Sequence, residues 1–167
     1  LTFHAMKDYK HSQRHVAPAF ANFSLLDAAR HPTERSADMA RMKGAEVIAR
    51  FLVAEKVPYV FGICGHGNVG MLDALYDVRD KVQLISPRHE QTAAHMADGY
   101  FRVKHRPVAT LTSTGPGSCN LTMALAVAQT DSSALLAITA NVPTSQFNRS
   151  PFQEINRHNQ ADFPNVL

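Results

Sequence analysis

From about residue 42 onward, the sequence alternates between stretches with helical spacing and short apolar runs that have the length of strands. Four apolar runs predict strands: "PYVFGI", "VQLIS", "VATLTS" and "ALLAITA". Four other stretches predict helices: "GAEVIARFLVAEK", "VGMLDALYDV", residues 90 to about 104, and "LTMALAVAQTD". Repeated β-α units predict a parallel sheet with helices on both faces, because right-handed crossovers bury each strand on two sides. The predicted fold class is α/β.

Two of the predicted helices carry apolar stripes that would face the sheet. The first has Ala45, Ile48 and Leu52 on one face, with Phe51 adjoining. The second is predicted to pack Leu72, Leu75 and Tyr76. At 167 residues and 45% hydrophobic content, the chain has room for one compact domain with a real core.

The chain divides near residue 40 into two parts of different character. Residues 1–40 show no sustained helix or strand period and are expected to form an irregular N-terminal extension, with residues 41–167 as the folded domain. The extension is rich in histidine, at His4, His11, His15 and His31. These histidines lack the neighbouring glutamate of a helical zinc motif, so we expect a solvated tail and no metal site.

Charge, hydropathy and cysteine usage limit the class of protein. The formal net charge of +3 comes from 17 Lys and Arg scattered among 14 Asp and Glu, which does not predict a nucleic-acid partner. The apolar runs are too short to span a membrane. Cys64 and Cys119 have neither metal-ligand spacing nor a secreted disulfide framework, and they fit a reducing cytoplasm.

Three turns are expected at the carboxyl edge of the sheet, where ligands gather in such folds. They are residues 64–68, residues 87–91 and residues 114–120. Each could be a turn or a helix cap and nothing more. The segment "GHGNVG" matches part of a dinucleotide-binding fingerprint, but turn glycines that need a positive φ would produce the same spacing.

Taken together, four ordered segments resemble a known family. The segments "RHEQTAAHMADGY", "TSTGPGSCNLTMALAVAQTDS", "AITANVPTS" and "PFQE" are similar in order and spacing to the pyrimidine-binding domain of thiamine diphosphate enzymes, and most of all to the acetolactate synthase group. The resemblance covers about residues 44–154. It implies the same α/β fold as the β-α pattern does.

The resemblance implies a chemical role for the glutamate of "RHE", which is Glu90. In the family this carboxyl bonds N1′ of the cofactor's aminopyrimidine ring and favours the tautomer that removes the C2 proton of the thiazolium. Such a carboxyl must be held partly away from water, and a strand end that leads into a helix can hold it. The alternative is a first-turn glutamate favoured by the helix dipole. Arg88 and His89 are expected to support the turn.

The resemblance also implies pocket residues. Those expected to surround the pyrimidine are Gly65, His66, Gly115 and Asn120, and those expected to contact the substrate are Phe152 and Gln153. His66 replaces the glycine of typical synthases, whereas decarboxylases carry a polar or acidic side chain in this slot. Its imidazole could exchange protons near C2, or it could cap a helix or face solvent.

No Gly-Asp-Gly sequence, which holds Mg²⁺ and the diphosphate in the family, occurs in this chain. The resemblance therefore implies Mg²⁺ ligands outside the chain, a site shared in at least a homodimer, and a chain that is a fragment or a separately encoded half. The isolated chain is expected to be inactive. FAD, a structural cofactor of some synthases, is compatible with the resemblance.

The sequence thus predicts the pyrimidine-binding module of a thiamine diphosphate-dependent carboligase that acts on 2-keto acids. A decarboxylase, lyase or hydrolase using the same cofactor is the first alternative. A non-catalytic α/β interaction or regulatory module is the alternative from another class.

Overall fold

The computed structural model describes residues 2–3 and 42–155. Most of the predicted N-terminal extension, including its histidines, lies outside the described residues, and so does the end of the predicted domain. The division of the chain near residue 40 therefore stays a prediction.

The elements follow the predicted β-α order. The strands are β1 Thr2–Phe3, β2 Tyr59–Gly62, β3 Gln83–Ile85, β4 Ala109–Thr112 and β5 Leu136–Thr139. The helices are α1 Gly44–Ala54, α2 Val69–Asp77, α3 Glu90–Lys104, α4 Pro116–Cys119 and α5 Thr122–Thr130. Short 3₁₀ turns span His66–Asn68 and Thr144–Gln146. The four predicted strands and four predicted helices are confirmed, whereas α4 and β1 were not predicted.

The five strands form one sheet in the order β1-β5-β4-β2-β3. The pairs β2 with β3, β2 with β4 and β4 with β5 are parallel. β1 runs antiparallel beside β5. Helices α1 and α2 contact each other, and α3 contacts α5. Right-handed crossovers put these two helix pairs on opposite faces of the sheet, so the predicted α/β class is confirmed.

The main core lies where α1, α2 and α3 meet the sheet. Leu52 and Val60 are fully buried there, and Ile48 is 7% exposed. The stripe predicted for α1 is therefore confirmed, with Ala49 buried as well. A smaller apolar cluster between α3 and α5 is formed by Ala94, Leu121 and Ala124.

Two details of packing differ from the prediction. In α2 the buried residues are Met71, Ala74 and Leu75, while Tyr76 is 64% exposed. Tyr76 lies instead under the guanidinium of Arg79, 4.0 Å from the ring centroid. Strand β3 is mostly exposed, because within the described residues it pairs with β2 alone and forms an edge of the sheet.

Among residues 42–155, no helix is long and apolar enough to cross a membrane.

Candidate functional site

The strand order predicts a crevice between the carboxyl ends of β2 and β4. The strand that follows β2, which is β3, lies toward one edge of the sheet. The strand that follows β4, which is β5, lies toward the opposite edge. Adjacent parallel strands whose connections diverge in this way form a topological switch point, where open α/β sheets bind their ligands. The three predicted turns follow β2, β3 and β4, and so all lie at this edge.

The loop after β2 is organised by one buried amide. Asn68 is 2% exposed, and its Nδ2 donates to the backbone oxygen of Ile63 at 2.9 Å. Its Oδ1 accepts from the backbone N–H of Gly65, also at 2.9 Å. This ring of bonds closes the turn and leaves the intervening His66 exposed at the mouth of the crevice.

The glycines of this loop allow it to pack closely against the loop after β4. A Cβ on Gly65 would overlap the side chain of Ser113, and a Cβ on Gly67 would lie 2.7 Å from Cγ2 of Thr114. Gly65 itself has φ −162°, which is extended backbone. No glycine of this loop has a positive φ, so the alternative that a positive φ explains the glycine spacing is wrong. The contact between the two loops explains Gly65 and Gly67 instead.

Glu90 is the first residue of α3 and follows the short loop after β3. His89 is the N-cap residue, and its Nδ1 accepts a hydrogen bond from the backbone N–H of Gln91 at 3.2 Å. An acceptor at this position satisfies one of the free N–H groups at the helix start. The expectation that His89 supports the turn is confirmed by this bond. Glu90 is half-buried.

The Glu90 carboxylate contacts the loop after β4. Nδ2 of Asn120 donates to Glu90 Oε2 at 2.9 Å. On the other side, a Cβ placed on Gly117 would lie 3.1 Å from Glu90 Oε1. Within the described residues Oε1 has no hydrogen-bond donor, so one oxygen is fixed and the other faces bare backbone.

The loop after β4 is rigidified by buried hydroxyl groups. Ser118 Oγ donates to the backbone oxygen of Ser113 at 2.6 Å and lies 3.1 Å from Thr112 Oγ1. The Ser113 hydroxyl is buried without a partner in the described residues.

Although Cys119 reaches the surface, burial of its sulfur raises the pKa of the thiol.

The turn at Gly115 is shaped by the segment that follows β5. Gly115 has φ +53°, and a Cβ there would overlap the backbone oxygen of Gln153. Next to this contact, Thr114 Oγ1 donates to Gln153 Oε1 at 3.1 Å. Gly115 therefore permits a close approach that a side chain would prevent.

Phe152 lies at the mouth of the crevice, next to His66 of the loop after β2. Its ring centroid is 5.4 Å from that of His66, with the planes tilted by 41°. Phe152 is 76% exposed. An exposed aromatic ring beside an imidazole offers an apolar surface next to a group that can exchange protons.

The structure thus brings the predicted residues together in pairs: Glu90 with Asn120, His66 with Phe152, and Gly115 with Gln153. Gly65 lies against Ser113. Three contributors, Ser113, Thr114 and Gly117, were not named as site residues, although Thr114 and Gly117 lie in the predicted turn at residues 114–120. The Gly-Pro-Gly sequence could have indicated Gly117, since a glycine in the first turn of a helix allows close approach of another group.

The fold and this site define an α/β domain with a switch point in a parallel sheet and a half-buried carboxylate at the start of the helix beside it. Residues 42–162 match the family described as "Thiamine pyrophosphate enzyme, N-terminal TPP binding domain". The chain belongs to this family, as the resemblance of its motifs predicted.

Named relatives come from archaea, bacteria and yeast. A "Probable acetolactate synthase large subunit" of Methanocaldococcus jannaschii is 44% identical over 114 residues, which is 68% of this chain and 19% of the relative. "Acetolactate synthase isozyme 1 large subunit" of Escherichia coli is 36% identical over 118 residues, or 71% and 21%. "Acetolactate synthase catalytic subunit, mitochondrial" of Saccharomyces cerevisiae is 34% identical over 113 residues, or 68% and 16%. The chain spans about a fifth of the length of these relatives.

Proposed function

We propose that this chain is the pyrimidine-binding module of a thiamine diphosphate-dependent carboligase that acts on 2-keto acids, similar to acetolactate synthase. The observation that carries the proposal is the Glu90 carboxylate at the start of α3. It is half-buried, with Oε2 held by Asn120 and Oε1 beside the bare backbone of Gly117. The names of the relatives support the reaction class.

The residues at the switch point suit an aromatic, nitrogen-bearing ring. Glycine at position 117 leaves open the space beside Glu90 Oε1 that a side chain would narrow. An oxygen without a donor partner is ready to bond a ring nitrogen, while the bond from Asn120 keeps the carboxylate from rotating. The crevice therefore fits the pyrimidine half of thiamine diphosphate.

Each proposed residue has a distinct task. Thiamine diphosphate, when bound, supplies a thiazolium carbon that can add to the carbonyl of a 2-keto acid. Glu90 shares a proton with the ring nitrogen N1′ and so acts as the cofactor activator. Asn120 orients that carboxylate. Gly65 and Gly115 form the turns that bring the surrounding loops together.

The substrate is proposed to meet the segment after β5. Phe152 presents an exposed ring, and Gln153 presents an amide whose Oε1 already accepts from Thr114. The amide nitrogen of Gln153 remains as a donor suited to the carboxylate or carbonyl oxygen of a 2-keto acid. His66 lies next to Phe152 and is proposed to exchange protons with the bound substrate.

The exposed imidazole of His66 also favours a second candidate, a decarboxylase, lyase or hydrolase that uses the same cofactor. The two candidates differ in product. The full-length protein, incubated with pyruvate, thiamine diphosphate and Mg²⁺, should form acetolactate, as detected by nuclear magnetic resonance. Acetaldehyde as the only product would favour the decarboxylase, and no consumption of pyruvate would contradict both assignments to 2-keto acids.

The family resemblance supports further proposals about the whole enzyme. Mg²⁺ and the diphosphate are proposed to bind outside this chain, with the site completed in at least a dimer and with FAD as a candidate structural cofactor. The relatives' names support a place in branched-chain amino acid biosynthesis. The unpaired Cys64 and Cys119 support a reducing compartment such as the cytoplasm.

A further inference from the structure

The segment from Phe147 to Glu154, here called the Glu154 loop, is folded around one carboxylate. The backbone N–H of Asn148 donates to Glu154 Oε1 at 2.7 Å, and the backbone N–H of Ser150 donates to Oε2 at 2.9 Å. The backbone N–H of Glu154 donates in turn to the oxygen of Pro151 at 3.0 Å. A carboxylate that accepts from backbone N–H groups forms charge-assisted bonds, which are stronger than neutral ones.

The backbone conformation of this loop requires stabilisation of the kind that the hydrogen bonds to Glu154 provide. Three of its residues that are not glycine have positive φ: Asn148 at 63°, Ser150 at 52° and Gln153 at 66°. L-residues populate this region sparsely and persist there when their surroundings hold them. The loop's aromatic residues give little support from burial, since Phe147 is 43% exposed and Phe152 is 76% exposed.

The loop carries two side chains to the crevice. Phe152 contacts His66 across the mouth, and Gln153 accepts from Thr114 and covers Gly115. The carboxylate of Glu154 is bonded to the backbone on the far side of the loop, at residues 148 and 150. Loss of those bonds would therefore let the loop relax and would move Phe152 and Gln153 together.

We propose that Glu154 is a positioning residue, which fixes the loop so that Phe152 and Gln153 are preset for the substrate. The inference rests on the proposed function, in which these two residues contact the 2-keto acid. Preset side chains bind without the entropic cost of ordering, so the effect of Glu154 should be on substrate affinity. Activation of the cofactor by Glu90 should not depend on it.

The test uses Glu154→Gln in the full-length protein, because glutamine keeps the shape but replaces one acceptor oxygen with a donor group. The first readout is trypsin cleavage after Arg149, which lies between the two bonded N–H groups, followed by mass spectrometry. Loss of a charge-assisted hydrogen bond should speed this cleavage about tenfold. The second readout is pyruvate turnover, in which KM should rise about tenfold while kcat changes by less than about twofold.

Glu55→Gln, at the end of α1, is the matched control that removes the same charge away from the loop, and it should change neither readout. Unchanged cleavage and unchanged KM in Glu154→Gln would overturn the inference. Faster cleavage with an unchanged KM would show that Glu154 holds the loop but does not position substrate contacts, which also overturns it. If the unmodified protein turns over no 2-keto acid, the proposed function fails, and with it the positioning role. The cleavage rates then report separately on whether Glu154 holds the loop.

Discussion

The two oxygens of the Glu90 carboxylate have different surroundings, and this asymmetry gives the residue its proposed role. Oε2 accepts from Asn120, thirty positions along the chain, while Oε1 faces the backbone of Gly117. The sequence indicates Glu90 through its motif, and the resemblance indicates Asn120 as a pocket residue. The bond between them could not be predicted, because it depends on how α4 turns the chain after β4.

Gly117→Ala should impair the site with little effect on the fold. The added methyl group would lie 3.1 Å from Glu90 Oε1, closer than an ordinary contact, and would displace the carboxylate. Because alanine favours helix more than glycine does, α4 itself should not be destabilised. We expect at least a tenfold weaker affinity for thiamine diphosphate in the full-length protein, measured by isothermal titration calorimetry.

Gly70→Ala is the matched control for this substitution, since a Cβ at Gly70 meets nothing within 4 Å. It should leave cofactor affinity unchanged. Equal affinities for the Gly117→Ala and unmodified proteins would show that the space beside Oε1 is not used by the cofactor.

Cys119 allows a test of the local environment by pH. Burial raises the pKa of its thiol, so at a given pH less of it is thiolate in the folded protein than in the unfolded protein. Alkylation of Cys119 by iodoacetamide at pH 8 should therefore be several-fold slower in the folded protein than in urea, as followed by mass spectrometry.

The raised pKa of the Cys119 thiol also makes the free energy of unfolding depend on pH. The unfolded state loses the thiol proton first as pH rises, so the folded state is progressively disfavoured between the ordinary pKa of the thiol and its raised value. Cys119→Ser should remove this part of the alkaline loss in the free energy of unfolding. An identical alkaline profile in the variant would contradict the assignment.

At the scale of elements, α3 is the helix on which the site depends, and an ion-pair cluster anchors its carboxyl-terminal half. Nε of Arg102 donates to both oxygens of Asp98 at 3.0 Å, and Nη2 donates to Asp131, the residue that follows α5. The carboxylates of Asp131 and Asp98 raise the pKa of the Arg102 guanidinium. This cluster ties the carboxyl-terminal half of α3 to the end of α5.

Asp98→Asn should destabilise the domain. Asp98 is 5% exposed, and the amide of asparagine would place a donor group against the donating guanidinium. A loss of about 1–2 kcal/mol in the free energy of unfolding is expected, measured by urea denaturation. Asp131→Asn should cost less than about 1 kcal/mol, because its side chain is 47% exposed. An equal loss of unfolding free energy in the two variants would show that burial does not set the strength of the two ion pairs of Arg102.

The sequence predicts the buried face of a helix correctly where its apolar period is regular. It does not predict burial where contacts with other elements of the fold determine it. The period of α1 identifies its buried face correctly. In α2 the buried face includes Met71 and Ala74, while Tyr76 lies at the surface against Arg79. Strand β3 looked like a buried strand from its apolar run, but its position at the sheet edge depends on strand order.

At the scale of the molecule, the order of the parallel strands creates the site. The connections from β2 and β4 diverge, so three loops that are far apart in sequence meet at one crevice. The β-α alternation predicts the sheet and its ligand-binding edge, while the family resemblance identifies the ligand. The chain spans about a fifth of the length of its relatives.

The proposed role of Glu90 is tested most directly with the full-length protein carrying Glu90→Gln. The rate of C2 proton exchange of thiamine diphosphate in D₂O would be measured by quenched-flow nuclear magnetic resonance. Circular dichroism and cofactor affinity would establish that the variant is folded and loaded. The exchange rate should be at least about 100-fold below that of the unmodified protein, the scale of general acid–base catalysis. An unchanged rate in a folded, loaded variant would remove Glu90 from the role of cofactor activator.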